Sequence, residues 1–338
     1  MTDQTTPDAE PLDVRATAEA VLFEIRRVIV GQDAMLERVL VALLAGGHLL
    51  IEGVPGLAKT LTVRTLAEAL DASFRRIQFT PDLVPSDLVG TRIYRPDSGT
   101  FDTELGPVFA NVLLADEINR APAKVQSALL AVMQERQVTI GPRTYPVPRP
   151  FLVMATENPI ESEGTYPLPE AQVDRFMMKI LIDYPDRRDE AVVVERSLGP
   201  APAIRPVLGV ETLARLQAVV AEVYVDPAVV DYAVGLATAT RDPASVGCAD
   251  LAEYVAFGSS PRGSIGLVHA ARALALTRGR RYVVPADVTD LAREVLRHRI
   301  VPTFTALADE VTPDALLDRL IPAVEPPVLG AAEAAVPA

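Results

Sequence analysis

Two periodicities divide this chain. His48–Ile51, Phe74–Phe79, Val112–Ala115, Phe151–Ala155 and Phe176–Ile182 are short, mostly apolar segments with the length and composition of buried strands. Between the first two, Leu61–Leu70 carries leucine, alanine and charge at helical spacing. This alternation between Asp13 and Asp183 predicts an α/β domain, a parallel sheet wound with helices, over residues 13–183. From Tyr184 the strand pattern stops. Pro200, Pro202 and Pro206 mark a linker over 184–209, and Val210–Leu320 is mostly alanine- and leucine-rich helix, so 210–325 is expected to form a smaller all-α domain. Two excursions interrupt the α/β pattern. Residues 87–109 contain Gly90 and a Pro96–Gly99 turn, and residues 137–147 alternate polar and apolar around Gly141-Pro142 like a hairpin. Residues 1–12 and the alanine- and proline-rich 326–338 read as tails outside any core.

Composition narrows the class. With 338 residues, 49% hydrophobic and 23% charged, the chain is a soluble globular protein with room for two domains, each with its own core. The longest apolar run, Val39–Ile51, is too short to span a bilayer and contains Gly46, Gly47 and His48, so no membrane insertion is expected. Met1–Pro11 is polar and acidic and lacks the basic and apolar regions of a signal peptide. The single cysteine, Cys248, excludes an internal disulfide, and three scattered histidines offer no metal-ligand spacing. Cytoplasm is the expected compartment. A net charge of −13 argues against a protein built to grip nucleic acid. The local basic clusters, Arg278–Arg281 and Arg293–Arg299, read as surface or subunit-contact charge.

The candidate chemistry sits where strands end. Gly53, Val54, Pro55, Gly56, Leu57, Ala58, Lys59, Thr60 and Leu61 lie between a strand and a helix. Such a turn cradles nucleotide phosphates: its N–H groups and the positive helix end face the anion, the lysine reaches the β/γ-phosphates, and the threonine can ligate Mg²⁺. The usual pattern has glycine before the lysine, where this chain has Ala58; its methyl group restricts positive φ but leaves the N–H donors in place. Val112–Ala115 then ends in Asp116 and Glu117. Beside a phosphate loop, Asp116 is placed to hold Mg²⁺ through water and Glu117 to deprotonate the water that attacks the γ-phosphate. Asn158, after the run Phe151–Ala155, offers an amide to bridge that water and a phosphate oxygen; Asn158-Pro159 is equally a turn initiator. Arg175 precedes the last strand, where an arginine can supply charge to a neighbouring subunit's transition state, or pair with Asp174, or cap a helix. Ser260-Pro261-Arg262 opens a helix in the second domain and holds Arg262 where it can reach phosphate across the domain cleft.

These residues together resemble the MoxR-type ATPases of the AAA+ superfamily. The resemblance rests on Leu113–Pro122 and on Glu161–Phe176, and covers about Val28 to Ile321. It implies a Mg²⁺-dependent ATPase that forms homo-oligomeric rings, with a hexamer expected, and holds each nucleotide between subunits. Gly31-Gln32 then falls on the adenine side, Asn158 on sensor 1, Arg175 on the arginine finger and Arg262 on sensor 2. The 87–109 and 137–147 excursions fall on the helix-2 insert and the pre-sensor-1 hairpin. Arg120 is a second candidate for the trans-acting arginine, and Glu157 stands where many relatives carry glutamine. The family resemblance implies chaperone-like maturation of other proteins, including metal or cofactor insertion into a metalloenzyme client, beside a partner with a von Willebrand factor A domain. A chelatase-like motor subunit, a nucleic-acid motor and an ATP-gated scaffold with little turnover are the alternatives; intact Glu117 and Asn158 argue against the last.

Overall fold

The computed structural model describes residues 13–54, 56–159, 164–200 and 202–329; the expectations for residues 1–12 and 330–338, and for Pro55, Glu161 and Glu163, fall outside them. Asp13 opens α1 (Val14–Arg26), its carboxylate accepting from the Ala16 N–H at 3.0 Å. α2 (Asp33–Leu44) leads into β1 (Leu49–Gly53), followed by α3 (Lys59–Ala69), β2 (Phe74–Gln78), α4 (Pro85–Val89), the hairpin β3 (Gly90–Arg95) and β4 (Thr100–Leu105), and β5 (Val112–Asp116). Then come α5 (Ala123–Glu135), the hairpin β6 (Gln137–Ile140) and β7 (Arg143–Pro146), β8 (Leu152–Glu157), α6 (Glu170–Val173) and β9 (Met178–Ile182). The central sheet is all parallel, in the order β2-β5-β8-β1-β9.

This order explains which strands were apolar runs. β1, β5 and β8 lie inside the sheet with both faces covered. Alternate residues serve opposite layers: Leu49 and Ile51, Val112 and Leu114, Leu152 and Met154 on one face; Leu50, Leu113, Ala115, Val153 and Ala155 on the other. β2 is an edge, and buries Ile77 while exposing Arg75, Arg76 and Gln78. Because β1, β5 and β8 are neighbours, the chain segments leaving their C-terminal ends meet at one sheet edge, where ligands of open α/β sheets bind.

Beyond β9, α7 (Arg187–Ser197) occupies the segment read as linker. It buries no residue, which is why no apolar periodicity announced it. The helical region comprises α8 (Val210–Ala221), α9 (Pro227–Ala239), α10 (Pro261–Thr277), α11 (Pro285–Leu296), α12 (Phe304–Ala308) and α13 (Pro313–Ala323). A small antiparallel strand pair, β10 (Val255–Phe257) with β11 (Val301–Pro302), joins the start of α10 to the end of α11. The expectation of a separate core for each domain is corrected. One continuous hydrophobic cluster runs from Val14 and Val21 of α1 and Leu40 of α2 to Leu267 and Leu274 of α10 and Leu317 of α13. The reason is α10, whose small residues Gly266, Ala270, Ala271 and Ala273 bury it against helices on both sides, α1 and α2 among them. No helix among the described residues is long and apolar enough to cross a membrane.

A buried histidine ties the sheet to α5. His48 Nδ1 accepts the Val153 N–H at 3.0 Å, which leaves Nε2 to donate to the Met133 carbonyl at 3.2 Å. Burial pushes its pKa down from 6.5 to about 4, with Arg136 adding to the fall. The unfolded chain therefore binds a proton that the folded chain refuses between these values, and stability drops as pH falls from 6.5 to 4, by about 3 kcal/mol in total. Burial lowers His298 in the same direction. His48→Gln, whose amide offers an acceptor and a donor but does not titrate, is expected to flatten part of that slope in urea unfolding measured across this pH range.

Candidate functional site

The phosphate loop joins β1 to α3. Gly56 has φ +87° and Ala58 φ +54°, so Ala58 adopts the left-handed conformation that glycine would adopt freely, at a cost of about 1–2 kcal/mol. No side chain among the described residues caps α3, so its first N–H groups are left for an anion. Lys59, half-buried, lies across the loop: its Nζ donates to the Gly53 carbonyl and, at 3.4 Å, to the Glu157 carbonyl. Burial pushes its pKa down, while Asp116, Glu117 and Glu52 pull it up.

Facing the loop, the end of β5 is held by a hydroxyl that the sequence reading passed over. Thr156 Oγ1 donates to Asp116 Oδ1 at 2.6 Å and accepts the Glu117 N–H at 2.8 Å. Glu117 has φ +57°, a left-handed conformation that is strained for a side-chain-bearing residue and turns the chain sharply out of the strand. The exposed edge of β2 supplies two more partners. Arg76 pairs with Asp116 Oδ2 at 2.6 Å, and Gln78 Nε2 donates to Glu117 Oε2 at 2.5 Å. The register that sets Gln78 beside Asp116 makes both contacts possible. Arg120 reaches the same Glu117 oxygen at 3.0 Å.

Loop, carboxylates and the end of β8 line one cleft of about 410 Å³, with Lys59, Thr60, Asp116, Glu117 and the buried Asn158 among its walls. Burial raises the Glu157 carboxyl above its ordinary range, Lys179 opposing and Glu52 reinforcing the shift. A carboxyl held toward its neutral form offers a donor and an acceptor, as the amide of glutamine does. Asp116 already holds a cation, the Arg76 guanidinium, and the Thr60 hydroxyl borders the same cleft, so the oxygen donors fit a hard divalent ion. Among the described residues no cluster of three or more histidine, cysteine or acidic side chains forms a metal site of its own.

Gly31 and Gln32 line a different pocket of about 280 Å³, with Ile180 of β9 and Arg297 and Asp314 of the helical region. Gly31 has φ +70°, and a Cβ there would sit 2.3 Å from Asp189 Oδ2 of α7, so only glycine fits. Neither Arg175 nor Arg262 lines the cleft. Arg175 lies between α6 and β9, and its buried Nε has no hydrogen-bond partner among the described residues. Ser260 caps α10 by accepting the Arg262 N–H at 3.1 Å, and Arg262 pairs with Asp174 at 3.4 Å. Asp174 is held further by Ser260 at 2.9 Å and by Arg299 at 2.9 Å, not by its neighbour Arg175.

Residues 48–178 match the family described as ATPase family associated with various cellular activities, and residues 249–320 match the AAA lid domain. The chain is 56% identical over 315 residues to the chaperone MoxR1 of Mycobacterium tuberculosis, covering 93% of this chain and 84% of that protein. It is 43% identical to the uncharacterised protein YeaC of Bacillus subtilis, covering 90% of this chain and 93% of that one. Among solved structures it superposes on a candidate ATPase from Cytophaga hutchinsonii with a TM-score of 0.88 and 45% identity, covering 93% and 96% of the two chains.

Proposed function

Because this chain belongs to the MoxR family of AAA+ ATPases and hydrolyses ATP, we propose that it does so at sites shared between subunits of a homo-oligomeric ring and uses the cycle to remodel partner proteins. The observation that carries the reading is the single cleft in which Lys59, Asp116, Glu117 and Asn158 converge on the phosphate loop.

In this reading Lys59 and the free N–H groups of α3 hold the β- and γ-phosphates. Gly31 and Gln32 border the base. Thr60 and, through water, Asp116 hold Mg²⁺, which when bound neutralises charge on the phosphate oxygens. Glu117 deprotonates the attacking water, and Asn158 orients it. Glu117 is tied to Gln78 and Arg120, so those bonds must loosen before it can act as base.

Arg175 completes the neighbour's site in this scheme, and Arg262 couples phosphate state to the lid. The absence of Arg175 from its own subunit's cleft supports action across an interface, whereas Arg262, paired with Asp174, must leave that partner to reach phosphate. Arg120, engaged with its own Glu117, is the weaker candidate. The remodelling step follows the chaperone relative. A von Willebrand factor A domain partner and metal or cofactor insertion into a client are its finer form, and cytoplasm is the compartment that suits it. The mass in solution tests the assembly. With ATP and Mg²⁺, light scattering is expected to give a ring-sized multiple of 36.3 kDa, a hexamer being the proposed one. A monomer under turnover conditions would rule out a shared site.

A further inference from the structure

The most heavily bonded guanidinium among the described residues belongs to Arg299, and it lies outside the cleft. Its side chain is 2% exposed. Nε donates to Asp174 Oδ1 at 2.9 Å, Nη2 to the carbonyls of Asp174 at 3.2 Å and Phe176 at 2.7 Å, and Nη1 to the Met177 carbonyl at 3.2 Å. Nη1 also donates to the Val295 carbonyl, within the lid. His298 Nε2 adds a bond to the Phe176 carbonyl at 3.1 Å. Burial lowers the pKa of Arg299 to about 10, with Asp174 opposing the fall, so it stays charged at neutral pH.

The gripped peptide, Asp174 to Met177, contains Arg175. The hands gripping it come from one short turn, Arg297–Arg299, at the end of α11. The first residue of that turn, Arg297, lines the pocket of Gly31 and Gln32 and pairs with Asp314 of α13 at 3.1 Å. One rigid turn therefore touches the base-side pocket on one side and the backbone flanking Arg175 on the other. Four bonds from one guanidinium cross from the lid to this segment, three of them to its backbone carbonyls, where α2 and α10 already share a core. Their convergence on the carbonyls either side of Arg175 is a fixture for that residue.

We propose that Arg299 is a positioning residue for Arg175: the turn Arg297–Arg299 locks the peptide bearing Arg175 to the lid, so that the nucleotide held by one subunit sets how its arginine is presented to the next. This rests on the reading that Arg175 acts in a neighbour's site. The coupling has a physical carrier, a packed turn that both sites bias, rather than mere proximity.

The test uses the full chain with Arg299→Ala and Arg299→Lys. The lysine keeps a charge opposite Asp174 but cannot span the carbonyls, so it carries the test if the alanine variant does not fold. Arg299→Lys is expected to keep ATP affinity close to wild type, to melt somewhat earlier because buried carbonyls lose donors, and to lose about 10²-fold in kcat, the cost of a misplaced catalytic group. Mixed with Glu117→Gln, whose Arg175 is intact, it is expected to regain turnover. Wild-type kcat in Arg299→Lys would overturn the proposal, as would loss of ATP binding together with early melting, which marks a merely structural role. The control is Arg175→Ala mixed with Glu117→Gln. If that pair recovers and Arg299→Lys with Glu117→Gln does not, Arg299 acts elsewhere while the shared site stands. If neither pair recovers, the shared site itself falls.

Discussion

Glu117→Gln is expected to bind ATP within about threefold of wild type and to lose about 10²–10⁴-fold in kcat. The amide is the same size as the carboxylate and can still bond Gln78 and Arg120, so the left-handed turn at residue 117 and the bond from its N–H to Thr156 should persist. It cannot accept a proton from water. The loss should therefore fall on the chemical step alone, read as phosphate release against fluorescent-nucleotide affinity. Retained turnover would remove Glu117 from the role of base. The same variant holds ATP, so any remodelled protein should stay with it. Affinity capture from lysate with ATP is expected to recover a partner that Lys59→Ala, lacking the phosphate-binding ammonium, does not. Equal recovery from both would detach partner binding from the nucleotide.

Arg175→Ala carries the second large effect. An arginine that stabilises a transferring phosphoryl group is worth about 10³–10⁵ in kcat. Its buried Nε has no hydrogen-bond partner among the described residues, and Asp174 is held instead by Arg299, Arg262 and Ser260. Truncation therefore orphans no partner of Nε, and the melting temperature should hold. ATP affinity should hold as well, since Arg175 does not border its own cleft. A fall in kcat without a change in affinity or stability separates a trans-acting group from a structural one. If turnover survives, the role passes to Arg120 or to another arginine or lysine at the interface.

The sheet was legible because β1, β5 and β8 are covered on both faces, which forces continuous apolar runs, and because the polar groups that follow them mark the C-terminal edge. Glycines and lysine between β1 and α3 announced the phosphate loop for the same reason. What stayed hidden has physical causes. Arg76 and Gln78 lie on an edge strand, where polar residues are ordinary, and only the register with β5 gives them meaning. Thr156 follows the apolar run Phe151–Ala155 with no motif to mark it; its hydroxyl matters because it reaches Asp116 on the neighbouring strand. Helix α7 has no buried face, so no period betrayed it. Asp174 and Arg299 are 125 residues apart in the chain, and a single contact over that separation leaves no local pattern. The shared core of sheet helices and lid was invisible because alanines and leucines at helical spacing declare that a face is buried, not what buries it.

The most direct test of a shared site needs two proteins that are each inactive. Arg175→Ala keeps Glu117 and lacks the arginine; Glu117→Gln keeps the arginine and lacks the base. Mixed in equal amounts before ATP is added, random rings place an intact Glu117 beside an intact neighbouring Arg175 at about one site in four, and phosphate release should rise to about a quarter of the wild-type rate. A mixture as inactive as its components would contradict hydrolysis at a site built by two subunits.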